Sequence, residues 1–499
     1  MFPQTARFVA ALAVTAGLLA AAPAQAREVM VVDGERVERV SDPALPSRAA
    51  SDLGVEPRSR PAAPVARSAL RGGPRAVRRA LGRALRRKQV SRSRRSAYGR
   101  IYGLARSRHR RLGGTRRREL GAAINTLDSI ALRGQLSASR MPALFLILRR
   151  NAEFWPRSPF PADRGLVTFR GSELIFEYYT GEGLQLQPLV NFKTANQLHG
   201  ACVKRTGPCE QGRLSRLLGE LVRTSARRGR FRTWEYYFDF GGGRPPWISG
   251  MAQATGIQAF ARASQLLRRP GLRRYAREGL RAFTTPPPTG VATRGPLGGT
   301  HYLQYSFAPR LYIINAFLQA VIGLYDYAEI TGDRTARRLF ARAEPTARRE
   351  LLRNDIGDWS TYSFGGAEST REYHELLREF AASLCSRLRR DAYCATARRF
   401  ADYTTEPAKL AILGPGTATR GRTTHVRFSL SKLSAVQLTI RRRGKVVYDR
   451  VETFRRGTRS FAFAPRSTGV FGVRVAAKEL RTGRELRTYE NGEIEATAR

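Results

Sequence analysis

Helical hydrophobic periodicity repeats from about residue 188 to residue 406, and this repetition constrains the fold more than any other feature of the sequence. Short connections with Gly, Pro or Asp stop signals separate the periodic segments. The segment 308–331 carries apolar residues on both faces, which is typical of a helix covered on all sides. Eight helices joined as hairpins predict an α/α-toroid, an incomplete helical barrel, with a plain helical bundle as the alternative. The predicted helices span 188–200, 212–228, 247–268, 271–283, 308–331, 334–352, 370–388 and 391–403.

Two segments with alternating apolar and polar residues flank the helical region. LVTFRGSELIFEYY followed by GEGLQLQPL, within residues 166–190, is typical of a short β-hairpin. From residue 409 to residue 499, short alternating runs are separated by the turn-forming sequences RGK, RRGTR and STG. This pattern predicts a small antiparallel β-sandwich. We therefore expect a mainly α chain with an α/α-toroid domain at 156–408 and a β-sandwich domain at 409–499.

The first 26 residues have the pattern of a secretory signal peptide. Arg7 supplies the positive charge, FVAALAVTAGLLAAA the short apolar stretch, and Ala24-Gln25-Ala26 a small-residue cleavage site. A membrane anchor is the alternative, but a spanning helix needs about 18 or more apolar residues. We expect export, and then a disordered linker rich in Pro, Ala, Ser and Arg at 27–66.

Arginine dominates the charge, with 88 Lys and Arg against 40 Asp and Glu and a formal net charge of +48. Residues 67–155 are predicted to form a basic helical extension, because Leu and Ala recur among arginines at near-helical spacing in its first part. Such charge attracts polyanions. Export argues against nucleic acid, which leaves an acidic polysaccharide or the cell envelope as the partner of this arm. A solvated helical extension, with part of the arginine excess reflecting genomic bias, is the simpler interpretation.

Four cysteines fit an exported protein. Cys202 and Cys209 are close in sequence, as are Cys385 and Cys394, so two local disulfides are the simplest pairing. Neither pair has the spacing of a zinc site, and we predict no metal site.

A glycine run interrupts the helical region at Gly241-Gly242-Gly243, just before Pro245-Pro246. The run lacks the Gly-Lys-Ser/Thr ending of a phosphate loop. We interpret it as a tight surface loop that delivers Trp247 and Gln253 toward a cavity, with simple turn formation as an equal alternative.

Polar residues also mark the long apolar helix predicted at 308–331. Gln304 and Tyr305 come just before it, and Asn315 and Gln319 lie within it. Amides on an apolar helix either satisfy neighbouring backbone groups or face a ligand, and the structural interpretation is favoured here.

The stretch WSTYSFGGAESTREYH, residues 359–374, combines tyrosines with a glycine break. Gly365-Gly366 ends its first part, and Ser369-Thr370-Arg371-Glu372 fits a capping box. A helix beginning near residue 370 puts Tyr373 in its first turn, at the positive end of the helix dipole. Tyr373 also begins an apolar helical stripe, which favours a core position. Periodicity leaves the role of Tyr362 open.

Five segments in this order resemble the C-terminal region of D-glucuronyl C5-epimerases: EYYTGEGLQLQP, FDFGGGRPPWISGMAQATGIQAFARA, QYSFAPRLYIINAFLQAVIGLYDYAEITGD, GDWSTYSF and REYHELL. The resemblance spans roughly residues 166–405. It implies a toroidal helical domain that inverts C5 of D-glucuronate, giving L-iduronate within an acidic polysaccharide. The implied reaction requires no cofactor.

Carried over residue by residue, the resemblance implies that Tyr305, Tyr362 and Tyr373 are catalytic. The residues with implied substrate contacts are Tyr179, Gln187, Trp247, Gln253, Gln304, Arg310, Asn315 and His374. Inversion needs proton removal on one face of the sugar and delivery on the other, and a phenolate that removes a proton needs a nearby cation. The local candidates for that cation are Arg244, Arg310, Arg371 and His374.

The sequence departs from the family pattern at Gln304, where the family often has Glu, and at Ser306, which replaces Pro. Two alternatives therefore accompany the epimerase interpretation. One is a lyase or hydrolase on the same scaffold, and the other is a non-catalytic protein that binds acidic polysaccharide or cell wall. A homodimer, and envelope association through the basic arm, are further expectations.

Overall fold

The computed structural model describes residues 27–48 and 72–498. The predicted signal peptide and residues 49–66 of the predicted linker lie outside the described residues.

The beginning of the predicted linker folds as a β-hairpin. Strand β1 (Arg27–Asp33) pairs antiparallel with β2 (Arg36–Asp42) and parallel with β3 (Leu166–Phe169). Val29 and Val32 are buried, so this segment contributes to the core. The expectation of disorder is therefore wrong for residues 27–42. Alternating valines in this segment allow it to form two strands, which extend the sheet that contains β3.

The strands predicted within 166–190 complete a five-stranded sheet in the order β2-β1-β3-β4-β5. Strands β4 (Phe176–Tyr179) and β5 (Gly183–Leu186) form the predicted hairpin, with Tyr179 opposite Gly183. Gly183 has a φ of +77°, and a Cβ there would lie 2.5 Å from the Asn151 side-chain oxygen. A glycine is therefore required where the hairpin meets the neighbouring helix.

The described residues contain twelve α-helices, and all eight helices predicted between 188 and 406 are among them. They are α1 (Gly73–Arg86), α2 (Arg92–Arg111), α3 (Gly114–Leu132), α4 (Met141–Phe154), α5 (Pro188–Lys204), α6 (Gln211–Thr224), α7 (Gly250–Leu266), α8 (Leu272–Gly279), α9 (Ile314–Thr331), α10 (Arg334–Asn354), α11 (Arg371–Leu388) and α12 (Asp391–Thr405). A 3₁₀-helix, Leu280–Phe283, continues α8.

Helices α6, α7, α8 and α9 are shorter than predicted, and pairing of the adjacent segments explains the ends of α6 and α9. Helix α6 ends at Thr224 because β6 (Ala226–Arg228) turns back to pair with β7 (Phe231–Thr233). Helix α9 begins at Ile314, because the residues before it form a loop that pairs with a distant segment. A further hairpin, β8 (Ala292–Arg294) with β9 (Thr300–Tyr302), precedes that loop.

The first four helices are part of the main core and not a solvated extension. Val77, Leu120 and Phe145 are buried in the same hydrophobic cluster as residues of α5 to α12. The expectation of a solvated extension is therefore wrong for the first part of 67–155, up to about residue 120, whereas the helices of 121–155 pack on the following domain as expected from their apolar face. Most of the Leu and Ala residues between the arginines form an apolar side that packs inward, and most of the arginines lie on the side that meets solvent.

Glu119 of α3 joins this helical layer to the β4–β5 hairpin. Its buried carboxylate accepts hydrogen bonds from the backbone N–H groups of Gly181 (3.0 Å) and Gly183 (2.9 Å) and from the hydroxyl of Tyr178 (3.1 Å). A buried carboxylate is stable only when such donors surround it. The turn of the hairpin is therefore fixed by a helix residue that lies 62 positions earlier in the chain than Gly181.

Residues beyond 408 form two sheets around a second hydrophobic cluster. One sheet has the strand order β10-β12-β15 and the other β11-β17-β16-β13-β14, and β11 pairs parallel with β17. The strands are β10 (Leu410–Gly414), β11 (Thr417–Thr419), β12 (Thr424–Leu430), β13 (Ser434–Arg442), β14 (Lys445–Phe454), β15 (Gly457–Phe463), β16 (Gly469–Glu479) and β17 (Arg487–Thr497). A mainly helical chain with a C-terminal β-unit is thus confirmed, while the toroidal closure of the helices and the sandwich arrangement of the sheets stay predictions.

The β-unit is attached to the last helix through Lys432. Its ammonium donates hydrogen bonds to the backbone carbonyls of Asp402 (3.1 Å), Tyr403 (3.2 Å) and Glu406 (2.6 Å). These carbonyls lie at the C-terminal end of α12, where the helix dipole favours a cation. Burial lowers the pKa of Lys432, and the surrounding acidic residues oppose that shift.

Both predicted disulfides are present. Cys202–Cys209 links the end of α5 to the start of α6, and Cys385–Cys394 links α11 to α12, with Cα atoms 4.4 and 4.8 Å apart. Among the described residues, no helix combines the length and apolarity needed to cross a bilayer.

We expect Glu119→Ala to lower the free energy of unfolding by roughly 3 kcal/mol, because it leaves buried N–H and O–H donors without an acceptor. Chemical denaturation measures the change. Glu153→Ala is the matched control, since Glu153 is half-exposed and makes surface ion pairs with Arg149 and Arg150, so its loss should cost less than about 1 kcal/mol. Equal effects of the two substitutions would contradict the anchoring role of Glu119.

Candidate active site

Two of the three implied catalytic tyrosines are in direct contact. The rings of Tyr362 and Tyr373 lie 5.0 Å apart between centroids, at an interplanar angle of 65°. Tyr373 occupies the first turn of α11 and its N–H donates to the Thr370 hydroxyl, so the N-cap falls one residue later than the start of the predicted capping box. Tyr373 is 7% exposed, which agrees with its position on an apolar stripe of α11. Its ring is nevertheless in contact with the ring of Tyr362.

A tight loop presents Tyr362 to this contact. Gly365 adopts a φ of +67°, and Gly366 N–H donates to the Ser363 carbonyl at 3.0 Å, which forms the predicted turn. Across the turn, Tyr362 N–H donates to the Ala367 carbonyl at 2.8 Å. The glycine pair therefore folds the chain back on itself and brings two tyrosines eleven positions apart onto one site.

Arg481 of the β-unit bonds to both ends of this loop. Its guanidinium donates to Asp358 Oδ2 at 2.7 Å and to Glu368 Oε2 at 2.8 Å. The side chains of Arg481 and Asp358 are 8% and 3% exposed, so this ion pair is shielded from water. Buried charges are tolerated when they are paired in this way. The β-unit thus fixes the segment that carries Tyr362.

Tyr305 packs in an aromatic cluster with Phe240, Trp247 and Phe307. Its ring centroid lies 5.2 Å from that of Phe307, 5.7 Å from Phe240 and 5.9 Å from Trp247. A Cβ at position 243 would lie 2.3 Å from the Phe307 ring, so the predicted glycine loop allows Phe307 to pack on its backbone. Close aromatic packing, and not phosphate binding, explains the need for glycine there.

The loop that begins at Tyr305 also reaches the Tyr362 segment. Ile313 forms a β-bridge with Ser363, and Phe364 N–H donates to the Tyr312 carbonyl at 2.9 Å. The strand-like residues before α9 and after Tyr362 are therefore neighbours. This pairing explains why α9 starts later than its hydrophobic pattern predicts.

Tyr179, from the β4–β5 hairpin, lies on the other side of Phe240, with ring centroids 6.4 Å apart. Its hydroxyl donates to Glu177 Oε2 at 3.1 Å and accepts from Gln187 Nε2 at 2.9 Å. The side-chain oxygen of Gln187, Oε1, accepts from Leu189 N–H and from the Tyr236 hydroxyl. Gln187 therefore caps α5 and orients Tyr179, which differs from the substrate contact that the resemblance implies.

Arg164 is a cation at this site that the sequence analysis missed. Its guanidinium carbon lies 4.4 Å from the ring centroid of Tyr179 and 5.9 Å from that of Phe240, and its Nε lies 3.5 Å from Glu177 Oε1. Arg164 has a φ of +65°, a conformation that non-glycine residues adopt rarely and often at functional sites. The only available signal was its place in an Asp-Arg-Gly turn just before a strand.

Lys193 of α5 is a second cation that the sequence analysis missed. Its ammonium donates to Gln319 Oε1 at 3.2 Å and lies 5.0 Å from the ring centroid of Phe380, two helical turns after Tyr373 on α11. Burial lowers the pKa of Lys193 to about 8, opposed by Glu379. Gln319 follows Asn315 by one turn of α9, and Asn315 is 6% exposed. A lysine within the apolar pattern PLVNFKTANQL was the signal for this position.

Two further residues with implied substrate contacts, like Gln187, form hydrogen bonds inside the protein. Gln253 uses its whole amide on the backbone of Trp234, accepting from its N–H at 3.2 Å and donating to its carbonyl at 2.8 Å. His374 is fully buried, with Nε2 3.1 Å from the Phe400 carbonyl and Nδ1 2.8 Å from the Ser360 hydroxyl. Both nitrogens are therefore used inside the protein, on the face of α11 next to the one that carries Tyr373.

The other implied residues differ in their surroundings. Trp247 donates from its indole N–H to the Phe238 carbonyl at 2.9 Å, so it contributes a ring face and not a hydrogen bond to the cluster. Gln304 is buried and accepts from the Ser249 hydroxyl at 3.1 Å. Arg310 is exposed in the loop before α9. Of the other cation candidates, Arg371 lies near Glu375 (3.9 Å) and Arg244 is exposed.

Two buried carboxylates near these helices are neutralised by arginine. Burial opposes the ionisation of Glu235, but hydrogen bonds from Arg140 and Arg228 hold its pKa below the usual range. Asp326 is held low in the same way by Arg387 and Arg262. A hydrolase needs one carboxyl that stays protonated as a general acid. These two carboxylates stay ionised and are therefore unsuited to the role of general acid.

Residues 228–402 match the family model described as D-glucuronyl C5-epimerase C-terminus. No curated protein sequence matches the chain. Among solved structures, the endo-beta-1,4-glucanase CMCax from Acetobacter xylinum is similar with 11% sequence identity and a TM-score of 0.30, over 44% of this chain and 72% of that chain.

We expect His374→Gln to change how stability depends on pH. Burial lowers the pKa of His374 to about 4, whereas an unfolded histidine titrates near 6.5. As the pH falls, the unfolded chain therefore takes up a proton on this histidine before the folded chain does. The contribution of His374 to the free energy of unfolding is complete above pH ~6.5 and is lost as the pH falls toward ~4. The difference in unfolding free energy between parent and variant should shrink over this range. A difference that does not vary with pH would contradict the buried neutral histidine.

We expect Arg481→Gln to loosen the Tyr362 loop, because it leaves the buried Asp358 carboxylate without its cation. Hydrogen–deuterium exchange should increase across residues 359–369 while α7 and α9 stay protected. The matched control is Arg455→Gln, which removes a 70% exposed partner of the same Glu368 and should change exchange little. Similar exchange in the two variants would show that Arg481 does not fix the loop.

Proposed function

We propose that the chain is an exported enzyme that inverts C5 of D-glucuronate to L-iduronate within an acidic polysaccharide. The observation that carries the proposal is the contact between Tyr362 and Tyr373, within the region that matches the epimerase family. Tyr305 is the third proposed catalytic residue, and its loop pairs with the Tyr362 segment.

The chemistry requires two proton-transfer groups and a way to stabilise negative charge. C5 of a uronate is adjacent to a carboxylate, so removal of its proton moves charge onto the carboxylate oxygens. One phenolate takes the C5 proton from one face, and a phenol delivers a proton to the other face. No electron is transferred and no bond to the neighbouring sugar breaks, so the polymer keeps its length.

Cations near the tyrosines would favour both the phenolate and the charged carboxylate. Arg164 over Tyr179, and Lys193 near the α11 stripe that starts at Tyr373, are the candidates that the contacts support. His374 is excluded from this role because its low pKa keeps it neutral. Tyr179, Asn315, Gln304 and Trp247 are proposed to line the sugar site.

The test is deuterium incorporation at C5 of glucuronate when the protein is incubated in D₂O with polymers of alternating glucuronate and hexosamine. Tyr305→Phe, Tyr362→Phe and Tyr373→Phe should each lower the rate of inversion by roughly 10²–10⁴, the usual contribution of a general acid or base. Tyr275→Phe is the control, because this partly exposed tyrosine of α8 contacts Arg232 and Arg274 away from the site.

Other outcomes identify the alternatives. An unsaturated product that absorbs in the ultraviolet, with a shorter polymer, would indicate β-elimination by a lyase, since both reactions begin with C5 proton removal. Polymer binding without exchange, unchanged in the three tyrosine variants, would indicate a non-catalytic binding protein and would overturn the proposal.

A further inference from the structure

The basic helices at the N-terminal end of the described helical region form a surface that the proposed reaction does not use. Residues 72–118 contain 18 Lys and Arg and no Asp or Glu. With 40 acidic residues in 499, the average composition would put about four acids in these 47 residues, so a general arginine bias does not explain the segment. We name the exposed basic residues of this segment the arginine face. They are Arg75, Arg78, Arg79, Arg83, Arg86, Arg87, Lys88, Arg92, Arg94, Arg95, Arg100, Arg110, Arg111, Arg117 and Arg118.

The arginine face is not neutralised by the rest of the described chain. Within residues 27–48 and 72–498, none of its side chains forms an ion pair with a carboxylate. Arginines elsewhere differ: Arg213, for example, pairs with Asp42, Glu173 and Glu210. A dense array of like charges without partners raises the local potential and attracts a polyanion.

The apolar sides of these helices are already covered, which disfavours a membrane as the partner. Val77 and Leu81 of α1 and Tyr102 and Ala105 of α2 are buried in the main core. In the described residues 72–118, Leu104 is the one large apolar side chain that is well exposed, at 43%. An interfacial helix needs a free apolar face to enter the lipid. The surface therefore offers charge without an apolar anchor.

Two surface cavities are lined in part by residues of the arginine face. One, of about 810 Å³, lies at the turn between α1 and α2 and is lined by Arg86, Lys88, Arg92 and Arg94. The second, of about 410 Å³, is lined by Arg94 and the ring of Tyr98 on the side of α2. Its other charged lining residues are Arg149, Arg223 and Glu220, and the two arginines pair with Glu153 and Glu220. Arg94 lines both, so the cavities adjoin. Their sizes lie within the usual range for small-ligand sites.

The arginine face has a rigid support that leads to the candidate active site. Tyr102 of α2 donates to Asp128 of α3 at 2.6 Å, and Arg108 donates to the Ala152 carbonyl of α4 at 2.6 Å. Helix α3 in turn carries Glu119, which fixes the hairpin that positions Tyr179. The surface and the tyrosines are therefore parts of one packed body and not units joined by a flexible arm.

We propose that the arginine face is a second, non-catalytic binding surface for a linear acidic polysaccharide. The choice of polysaccharide rests on the proposed function, which supplies such a polymer as substrate. A guanidinium group donates two parallel hydrogen bonds to the oxygens of a carboxylate or sulfate. Helix α2 has 20 residues and is about 30 Å long, so its arginines contact several sugar units of the polymer at once. The surface keeps the polymer attached while the active site acts on successive residues.

The test compares two full-length variants with equal loss of charge. One replaces four exposed arginines of α2 (Arg92→Gln, Arg94→Gln, Arg95→Gln and Arg100→Gln). The control replaces four exposed arginines of the β-unit that also lack an ion pair with described residues (Arg420→Gln, Arg422→Gln, Arg427→Gln and Arg443→Gln). The dissociation constant for size-defined heparin and for an unsulfated glucuronate polymer is measured between 50 and 400 mM NaCl.

We expect the α2 variant to bind both polymers at least tenfold more weakly near 0.1 M NaCl and with a log–log salt slope less steep by about 3, as loss of four counterion-releasing contacts predicts. The control should keep the parent slope. Equal losses in the two variants would overturn the proposal, because net charge alone would then explain binding. Unchanged polymer binding, with weakened binding to 30% phosphatidylglycerol vesicles or to a duplex DNA of 30 base pairs, would also overturn it.

Turnover separates this proposal from the proposed function. C5 exchange on a tetrasaccharide, too short to reach both sites, should be equal in the parent and the α2 variant, while exchange on the long polymer should fall in the variant at low substrate concentration. Salt-dependent binding by the arginine face without any exchange would sustain the surface and reject the epimerase.

Discussion

Buried carboxylates with donors from distant parts of the chain are the interactions on which this structure depends. Glu119 gathers the turn of the β4–β5 hairpin onto α3. Asp358, nearly inaccessible to water, accepts from Arg481 and from the Leu433 backbone N–H of the β-unit. Each of these charges would be costly to bury alone, so each fixes the relative position of segments that the hydrophobic core alone would leave free to slide.

Local sequence signals were sufficient for the helical elements. Alternation of apolar residues every three to four positions gave all eight helices of 188–406, and cysteine spacing gave both disulfides. Helix ends were less predictable where tertiary pairing overrides periodicity, as at Ile314, whose preceding residues bridge to Ser363. The strands at 27–42 were missed because two short valine-containing runs gain stability only by joining β3, far along the chain.

The site shows the same division. The glycine turn and the helix start between Tyr362 and Tyr373 are local features of the sequence. They were therefore sufficient to predict that the two tyrosines lie close together. The roles of Gln253 and His374 depend on backbone groups of Trp234 and Phe400 that no spacing rule connects to them. Arg164 and Lys193 could not be selected from a chain so rich in cations, since only packing distinguishes a cation over an aromatic ring from one in solvent.

The attachment of Lys432 to the end of α12 has an evolutionary consequence. Its ammonium completes the hydrogen bonds of helix carbonyls that would otherwise require water, while Arg481 neutralises a carboxylate of the helical part. A β-unit from another protein would have to supply both cations at the same places. Recombination at the boundary near residue 408 is thus disfavoured, and the two parts are expected to be inherited together although each has a hydrophobic core of its own.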